Sequence, residues 1–518
     1  MRTVTWMGIP LSLVTLAALL QGIGCYRLST DCDLFACASS SGTGGSTSSS
    51  STGGGTGGTP ILCIPSESEH PVADSCGVFV SSSRGADDMA ADRGTQAKPF
   101  KSIGAALMKA DVARVYACAE SFTESVTLSA AVDLYGGLDC TSWAYVGATK
   151  KTTLTAAADA VPMTIGSAAG AVNVEDFAIR SAAAKLSGGS SMAVLADGVT
   201  ASFARCDLTA GDANEGDPGT NGGAQAAQAE AGLPGGDAGL VGVGSTAGGV
   251  GGQNAICALS AGDGGKGGTI PSGDGGDGFQ GDGNLGGAKG LGNNGAGCSA
   301  GGQGGDGIPG QLVSGAQGIG SLDATGYHGT DGEAGQDGTN GKSGGGGGGS
   351  KASAMVHGAG GGGGGAGGCG GKRGTGGKAG GSSLALVSLG AKVTLTECKL
   401  SAGKGGKGGA GGDGQFGQPG GKNGDGGVGG TIADGCNGGK GGKGGDGGNG
   451  GGGLGGHSLG IAVTGSAPTL DMTSRKSITL GAQGPGGLGG NLDAELNHGA
   501  PGMASSCWDF SKKASCEQ

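Results

Sequence analysis

Met163-Thr164-Ile165, then Val172-Asn173-Val174, then Phe177-Ala178-Ile179 lay down a spacing rule. It reads apolar, any, apolar; six residues; apolar, any, apolar; two residues; apolar, any, apolar. The rule returns at Met192, Val194, Ala201, Phe203, Cys206 and Leu208, and again at Leu384, Leu386, Val393, Leu395, Cys398 and Leu400. A fourth copy starts in step with Ile461, Val463, Leu470 and Met472, then reaches Ile478 and Leu480 three residues late. Side chains two residues apart share one face of a strand, so each copy predicts three short strands with an inward face. Repetition of the same three strands predicts stacked rungs of an all-β parallel coil.

Between these copies the chain changes character. Residues 212–381 and 404–456 are mostly glycine-rich, and glycine supplies 134 of the 518 residues, against about 7% in an average protein. Aromatic residues make up only 3%. Glycine has no side chain to bury and loses the most backbone entropy on folding, so an apolar core is confined to residues 100–211 and the two later rungs. The net charge of −11, with only 14% charged residues, reads as a solvated acidic surface. That balance argues against nucleic acid or an anionic lipid face as partner.

Part of the first insert keeps a strict period of three, at Gly326, Gly329, Gly332, Gly335, Gly338, Gly341 and Gly344. Elsewhere the unit is Gly-Gly-X, as in Gly405-Gly406-Lys407-Gly408-Gly409-Ala410. A collagen triple helix is argued against by the 14 prolines of the whole chain and by the shortness of each run. Two readings stand: polyglycine-II strands packed side by side with glycine on the contact edges, or a disordered loop. These tracts resemble the polymorphic glycine-rich repeat (PGRS-like) proteins of bacterial envelopes and, in composition, glycine-rich antifreeze proteins.

Cysteines bear on the choice. Cys257, Cys298 and Cys369 lie in the first insert and Cys436 in the second, and bridges there would cross-link segments that lack an apolar core. Cys63 with Cys76, and Cys507 with Cys516, are candidate local disulfides that would pin the two ends. Cys206 and Cys398 occupy equivalent places in two rungs. Stacking would set their backbones about 4.8 Å apart, which suits either a bridge or a reduced interior ladder. The same stacking brings residues 211 and 382 together, making the insert a lobe with both feet on one corner of the coil.

At the N-terminus Arg2 precedes an apolar run over residues 9–20, then Gly22-Ile23-Gly24-Cys25. The run is a secretory signal, too short to span a membrane. It resembles a bacterial lipoprotein signal, which implies Cys25 as the lipid-attachment residue, although Gly22 stands where that pattern favours leucine. Gly22 and Gly24 also fit ordinary signal cleavage. Of the 15 cysteines, setting Cys25 aside leaves an even set that can all pair. Residues 39–59, rich in Ser, Thr and Gly, read as a flexible tether.

The stretch Gly94-Thr95, Pro99-Phe100-Lys101-Ser102-Ile103, Ala106-Leu107 predicts a short helix over 105–110, with Pro99 placed where a helix tolerates it. Strands are expected at 115–118, 125–128 and 132–135. A helix ahead of short strands suits a cap over the first rung. These residues resemble the N-terminal motif of right-handed parallel β-helix proteins of the pectate-lyase-like superfamily. The continuation, with Val115-Tyr116-Ala117-Cys118, Leu134-Tyr135-Gly136-Gly137, Cys140 and Trp143, is similar to secreted bacterial surface proteins of that type. The resemblance covers residues 76–211. It implies an extracellular right-handed parallel β-helix with an N-terminal helical cap, but not an activity. The organisation expected is a signal at 1–24, a tether at 25–62 and a capped coil at 63–211. An insert at 212–381, a rung at 382–403, an insert at 404–456 and a last rung with C-terminal cap at 457–518 complete it.

Residues able to carry chemistry are sparse. A polysaccharide lyase or hydrolase needs clustered carboxylates on one exposed face. Glu120, Glu124, Asp133, Asp139, Glu175 and Asp176 are the acidic residues near the first rungs, and none recurs at rung spacing. Residues 301–309 match one calcium-binding nonapeptide, but a roll requires consecutive units. His70, His328, His357, His457 and His498 lack metal-ligand spacing. Lys404, Lys407, Lys440 and Lys443 form two pairs that would project from glycine-strand edges. The expectation is a non-catalytic, exported surface protein, structural or adhesive, lipid-anchored at the bacterial envelope or else secreted. Its expected partner is polysaccharide or extracellular matrix, it meets the membrane only through its lipid, and it uses no cofactor. A β-helix polysaccharide enzyme and an ice- or crystal-binding protein are the competing readings.

Overall fold

The computed structural model describes residues 63–518 except 110, 241–245, 492–496 and 517–518. Cys25, the signal and the tether lie outside the described residues. Within them the protein is all-β and dominated by three sheets whose strands run parallel, apart from the final hairpin.

Each copy of the spacing rule delivers one strand to each sheet. The first sheet takes Ala171–Glu175, Thr200–Ala204, Lys392–Thr396 and Thr469–Leu470. The third takes Phe177–Arg180, Asp207–Thr209, Lys399–Ala402 and Ile478–Leu480. The second takes Met163–Ile165, Ser191–Asp197, Ser383–Leu389 and Ser458–Thr464. Register follows the apolar positions: Val174 pairs with Phe203, Phe203 with Leu395, and Leu395 with Leu470. These columns form the interior, and each fully buried Val, Leu, Ile or Phe contributes about 1.5–3 kcal/mol.

Two corners are tight and built alike in successive rungs. Between the first and third sheets a single left-handed residue turns the chain, Asp176, Arg205 or Glu397. Between the second and first sheets the turn falls on Gly170, Gly198, Gly390 or Gly465, all at positive φ, a region glycine occupies without steric cost. The third corner carries the longest excursions: residues 181–190, 210–382, 403–457 and 481–503 each leave the third sheet and return to the second. Ser383 Oγ donates to the carbonyl of Gly211 at 2.7 Å, so the two feet of the first excursion do meet.

Several local expectations need correction. Met192 and Leu384 do not face the interior. The register passes from Met192↔Leu384 to Val194↔Leu386 and skips the small Ala193 and Ala385, which turn inward together with Val194 and Leu386. Met192 and Leu384 therefore lie on the outer face, where Leu322, Tyr327 and Phe510 cover them. In the last copy the three extra residues are taken up in a one-turn helix, Met472–Lys476, capped by Asp471, ahead of the strand Ile478–Leu480. Met472 is exposed on that helix, and Leu480 is exposed because its strand is the edge of the third sheet. The N-terminal helix is Ile103–Leu107 with Ser102 as its cap, so Pro99 precedes it. Phe100 instead bridges Val80 in parallel.

The glycine-rich inserts are folded, and they continue the third sheet. Beyond the pairing Asp207↔Lys399, Ala213 N–H donates to Lys404, Gly216 to Lys407, Gly219 to Ala410 and Gly222 to Asp413. One bond every third residue is the repeat of a three-residue-per-turn extended helix. The same spacing links Gly332, Gly335, Gly338, Gly341 and Gly344 to Gly377, Gly374, Gly371, Gly368 and Gly365. The all-glycine runs 344–349 and 360–365 are buried at the centre. There Gly361, Gly362 and Gly363 donate to Gly265, Cys436 and Leu233, and accept from Gly249, Gly347 and Gly424. Three consecutive residues thus bond six different segments. A Cβ at any of the three would overlap a neighbouring backbone carbonyl.

Candidate functional site

The carboxylates near the first rungs are each engaged locally. Glu124 accepts the Ile103 and Gly104 N–H groups and so caps the N-terminal helix, and Asp133 accepts from Asn173. Asp139 accepts the Ser142 and Thr141 N–H groups and the Ser142 hydroxyl, which hold it below the usual carboxylate range. Glu175 and the buried Asp176 share the Arg205 guanidinium, at 2.5 and 3.0 Å, and Tyr145 also donates to Asp176. These five acids do not converge on one exposed face.

Glu120 has the most developed surroundings. It accepts the hydroxyls of Ser81, Ser82 and Ser83 and the Ser83 N–H. Burial works to raise its carboxyl, and the Ser83 and Ser82 hydroxyls, the Cys140 thiol and the Ser83 N–H outweigh it, bringing it to about 2. Its carboxylate and the sulfurs of Cys118 and Cys140 lie within 4.8 Å of one another. Two thiols and a carboxylate are a donor set that suits a thiophilic divalent ion, and the serines would act as the outer shell that orients the carboxylate. Equally, two thiols at this range can close a disulfide. Burial pushes both thiols above their ordinary range, so neither is a ready nucleophile. Sequence spacing did not reveal this cluster, because it depends on the pairing of Arg114–Cys118 with Asp133–Leu138.

Among the described residues the other cysteines are structural. Cys63–Cys76 and Cys507–Cys516 are bonded, and Cys257–Cys369 and Cys298–Cys436 tie together segments of the glycine lobe. Cys206 and Cys398 are buried and reduced. The Cys206 N–H donates to Cys398 Sγ at 3.4 Å, while the thiols donate to Val174 and Phe203 carbonyls of the neighbouring rung. Burial pushes the Cys206 thiol well up, and Cys398 beside it adds to the shift.

His457 is buried, accepting the Met503 N–H at Nδ1 and facing the Ile319 carbonyl through Nε2. His328 is exposed beside Asp323 and Thr325. Residues 301–309 are a glycine strand bonded to 437–446 rather than a separate loop. On the lobe surface Lys404, Lys407, Lys440 and Lys443 are exposed. Leu233, Val250, Ile308, Phe416 and Val428 are exposed on the same lobe. Side chains at the lobe edges also latch strands together: Asp212 accepts the Lys404 N–H, Asp331 that of Ala379, and Asp306 that of Lys443. Among the described residues no helix is long and apolar enough to cross a membrane. No family model, curated protein or solved structure matches this chain.

Proposed function

We propose that the protein is a non-catalytic, exported surface protein, lipid-anchored through Cys25 and held off the envelope by the tether. In this reading a right-handed parallel β-helix of the pectate-lyase-like kind carries a polyglycine-II lobe outward toward matrix polysaccharide. The observation that supports it most is the lobe itself. Its glycines are used up in backbone bonding at the centre, while Lys407, Phe416, Val428 and similar residues occupy its outer rows. Such a body is a rigid display surface rather than a solvated loop, and solenoid-like assemblies use extended faces of this kind for binding. The structural engagement of Glu124, Asp139, Glu175 and Asp176 weighs against the lyase or hydrolase alternative.

The exported chain would be incubated with insoluble neutral and acidic polysaccharides, with retention and release of shortened chains followed in parallel. Retention without shortening supports an adhesive role. Shortened products would overturn it in favour of the enzyme, and neither result would leave only a scaffold.

A further inference from the structure

Three adjacent parallel strands of the first sheet, Val78–Val80, Arg114–Cys118 and Asp133–Leu138, end side by side. Just past their ends the chain gathers two thiols, a carboxylate and a run of serines. Tyr116 and Cys118, two residues apart, share the outer face of their strand and are fully buried against Phe79, Tyr135 and Trp143. Cys118 pairs in register with Leu138, so Cys140 stands two residues beyond that partner. Cys140 lies in a turn closed by the Trp143 N–H on the Asp139 carbonyl. Glu120 follows Cys118 by two residues, and Ser81, Ser82 and Ser83 directly follow the first strand. One ligand atom from each of Cys118, Glu120 and Cys140 lies within 4.8 Å of the other two.

We propose that Cys118, Cys140 and Glu120 hold a structural zinc ion at the end of the first sheet. Around a tetrahedral ion, bonds of about 2.0–2.3 Å set neighbouring ligand atoms about 3.3–3.8 Å apart, so side-chain adjustment alone closes the set. Binding one divalent ion displaces the two thiol protons. Two thiolates and one carboxylate then leave the site with a single negative charge. Arg84, whose guanidinium donates to the Cys140 carbonyl, stands beside the site to balance it. The carboxylate is already oriented: Ser82 donates to it at 2.7 Å, the Ser83 N–H at 3.1 Å and the buried Ser81 at 3.3 Å. Outer partners of this kind fix a metal-binding carboxylate in place. Glu120 and Cys140 are only half-buried, which gives the ion a way in and leaves the fourth position to water. Copper(I) is the poorer fit, since two thiolates satisfy it and the carboxylate is too hard a donor. A disulfide between the two cysteines would leave that carboxylate facing them without a role. The ion would tie two neighbouring strand ends together and hold the turn that carries the buried Trp143.

Cobalt(II) is the probe, because a cobalt–thiolate bond gives a charge-transfer absorption band. The chain, purified without reductant, would be titrated with cobalt(II) and then zinc(II). One cobalt ion per chain is expected, with a thiolate band that zinc abolishes and a higher unfolding midpoint with either metal. Cys140→Ser should lose the band, and Glu120→Gln should keep it with affinity weakened about tenfold or more. Cys206→Ala should leave it unchanged, which separates this site from the buried thiols of Cys206 and Cys398. Thermal unfolding without metal checks that each variant is folded, and Glu120→Gln carries the test should Cys140→Ser fail to fold. A Cys118–Cys140 disulfide on peptide mapping would overturn the site, as would free thiols that give no band or a band that survives Cys140→Ser. Unchanged affinity in Glu120→Gln would overturn the three-donor set.

Discussion

A methyl group at Gly362 collides with the carbonyl oxygen of Gly424, whereas one at Gly305 meets nothing within 4 Å. The Gly424 carbonyl is already the acceptor for Gly438 N–H, so the collision also displaces a buried backbone bond. Gly362→Ala is therefore expected to destabilise the protein by about 2–3 kcal/mol, in the range of overpacked cores. Gly305→Ala should stay within about 0.5 kcal/mol, with any change toward greater stability through the unfolded chain. Urea unfolding of the two variants checks this, and equal effects would mean the central glycines are not held by close backbone approach. His457 makes a second test. Burial, opposed only by the Ile319 carbonyl, lowers its pKa from 6.5, and the Met503 N–H occupies Nδ1. The unfolded chain then takes up the proton first, so stability is full above about pH 6.5 and declines as pH falls below it. The decline between pH 6.5 and 5 should be shallower in His457→Gln, measured as the pH dependence of the unfolding midpoint.

At the scale of the element, the apolar interior between the three sheets was legible because period-two apolar residues have one place to go. Phe203, Leu395, Leu208 and Leu400 are buried as their spacing implies. The reading failed where small residues let a strand change parity, at Ala193 and Ala385, since apolar side chains can also be covered from outside. Glycine spacing held more than was read from it. In 326–344 one residue in three is glycine, in 405–412 two in three, and in 344–349 and 360–365 all are. The fraction rises with the number of sides on which a strand meets another backbone, which is why the unbroken runs are central. Partners of the lobe cysteines were not legible, because they depend on the path of the chain through the third corner. Cys298–Cys436 closes a separation of 138 residues inside this array. Replacing both with serine removes a constraint on the unfolded chain worth about 4–5 kcal/mol at most. The expected loss is about 2–4 kcal/mol, with faster amide exchange at 344–349 than in the rungs. Exchange rising equally in both regions would mean that the lobe and coil open together.

For the whole molecule, two kinds of order share one register. The third sheet begins as period-two strands with an apolar interior and runs on as period-three glycine strands without one, yet Asp207↔Lys399 and Ala213 to Lys404 belong to a single ladder. The parallel sheets supply the template: each strand of the third sheet fixes where the next glycine strand starts, so the lobe need not nucleate from its own sequence. Cooperativity then comes from hydrogen bonds across many short contacts rather than from apolar burial. This has a calorimetric consequence. Exposing apolar surface raises heat capacity by about 0.45 cal/K/mol/Å², whereas exposing polar surface lowers it by about 0.26. Unfolding the lobe uncovers chiefly peptide groups, so its contribution is small or negative, and the coil alone supplies the ordinary positive term. The heat-capacity change of unfolding is therefore expected to fall well below the about 12–15 cal/mol/K per residue of globular proteins, while the unfolding enthalpy stays substantial. Differential scanning calorimetry of the purified chain measures both. A heat-capacity change of ordinary size per residue would show that the lobe buries apolar surface after all, and would remove the ground for treating it as a backbone-bonded body.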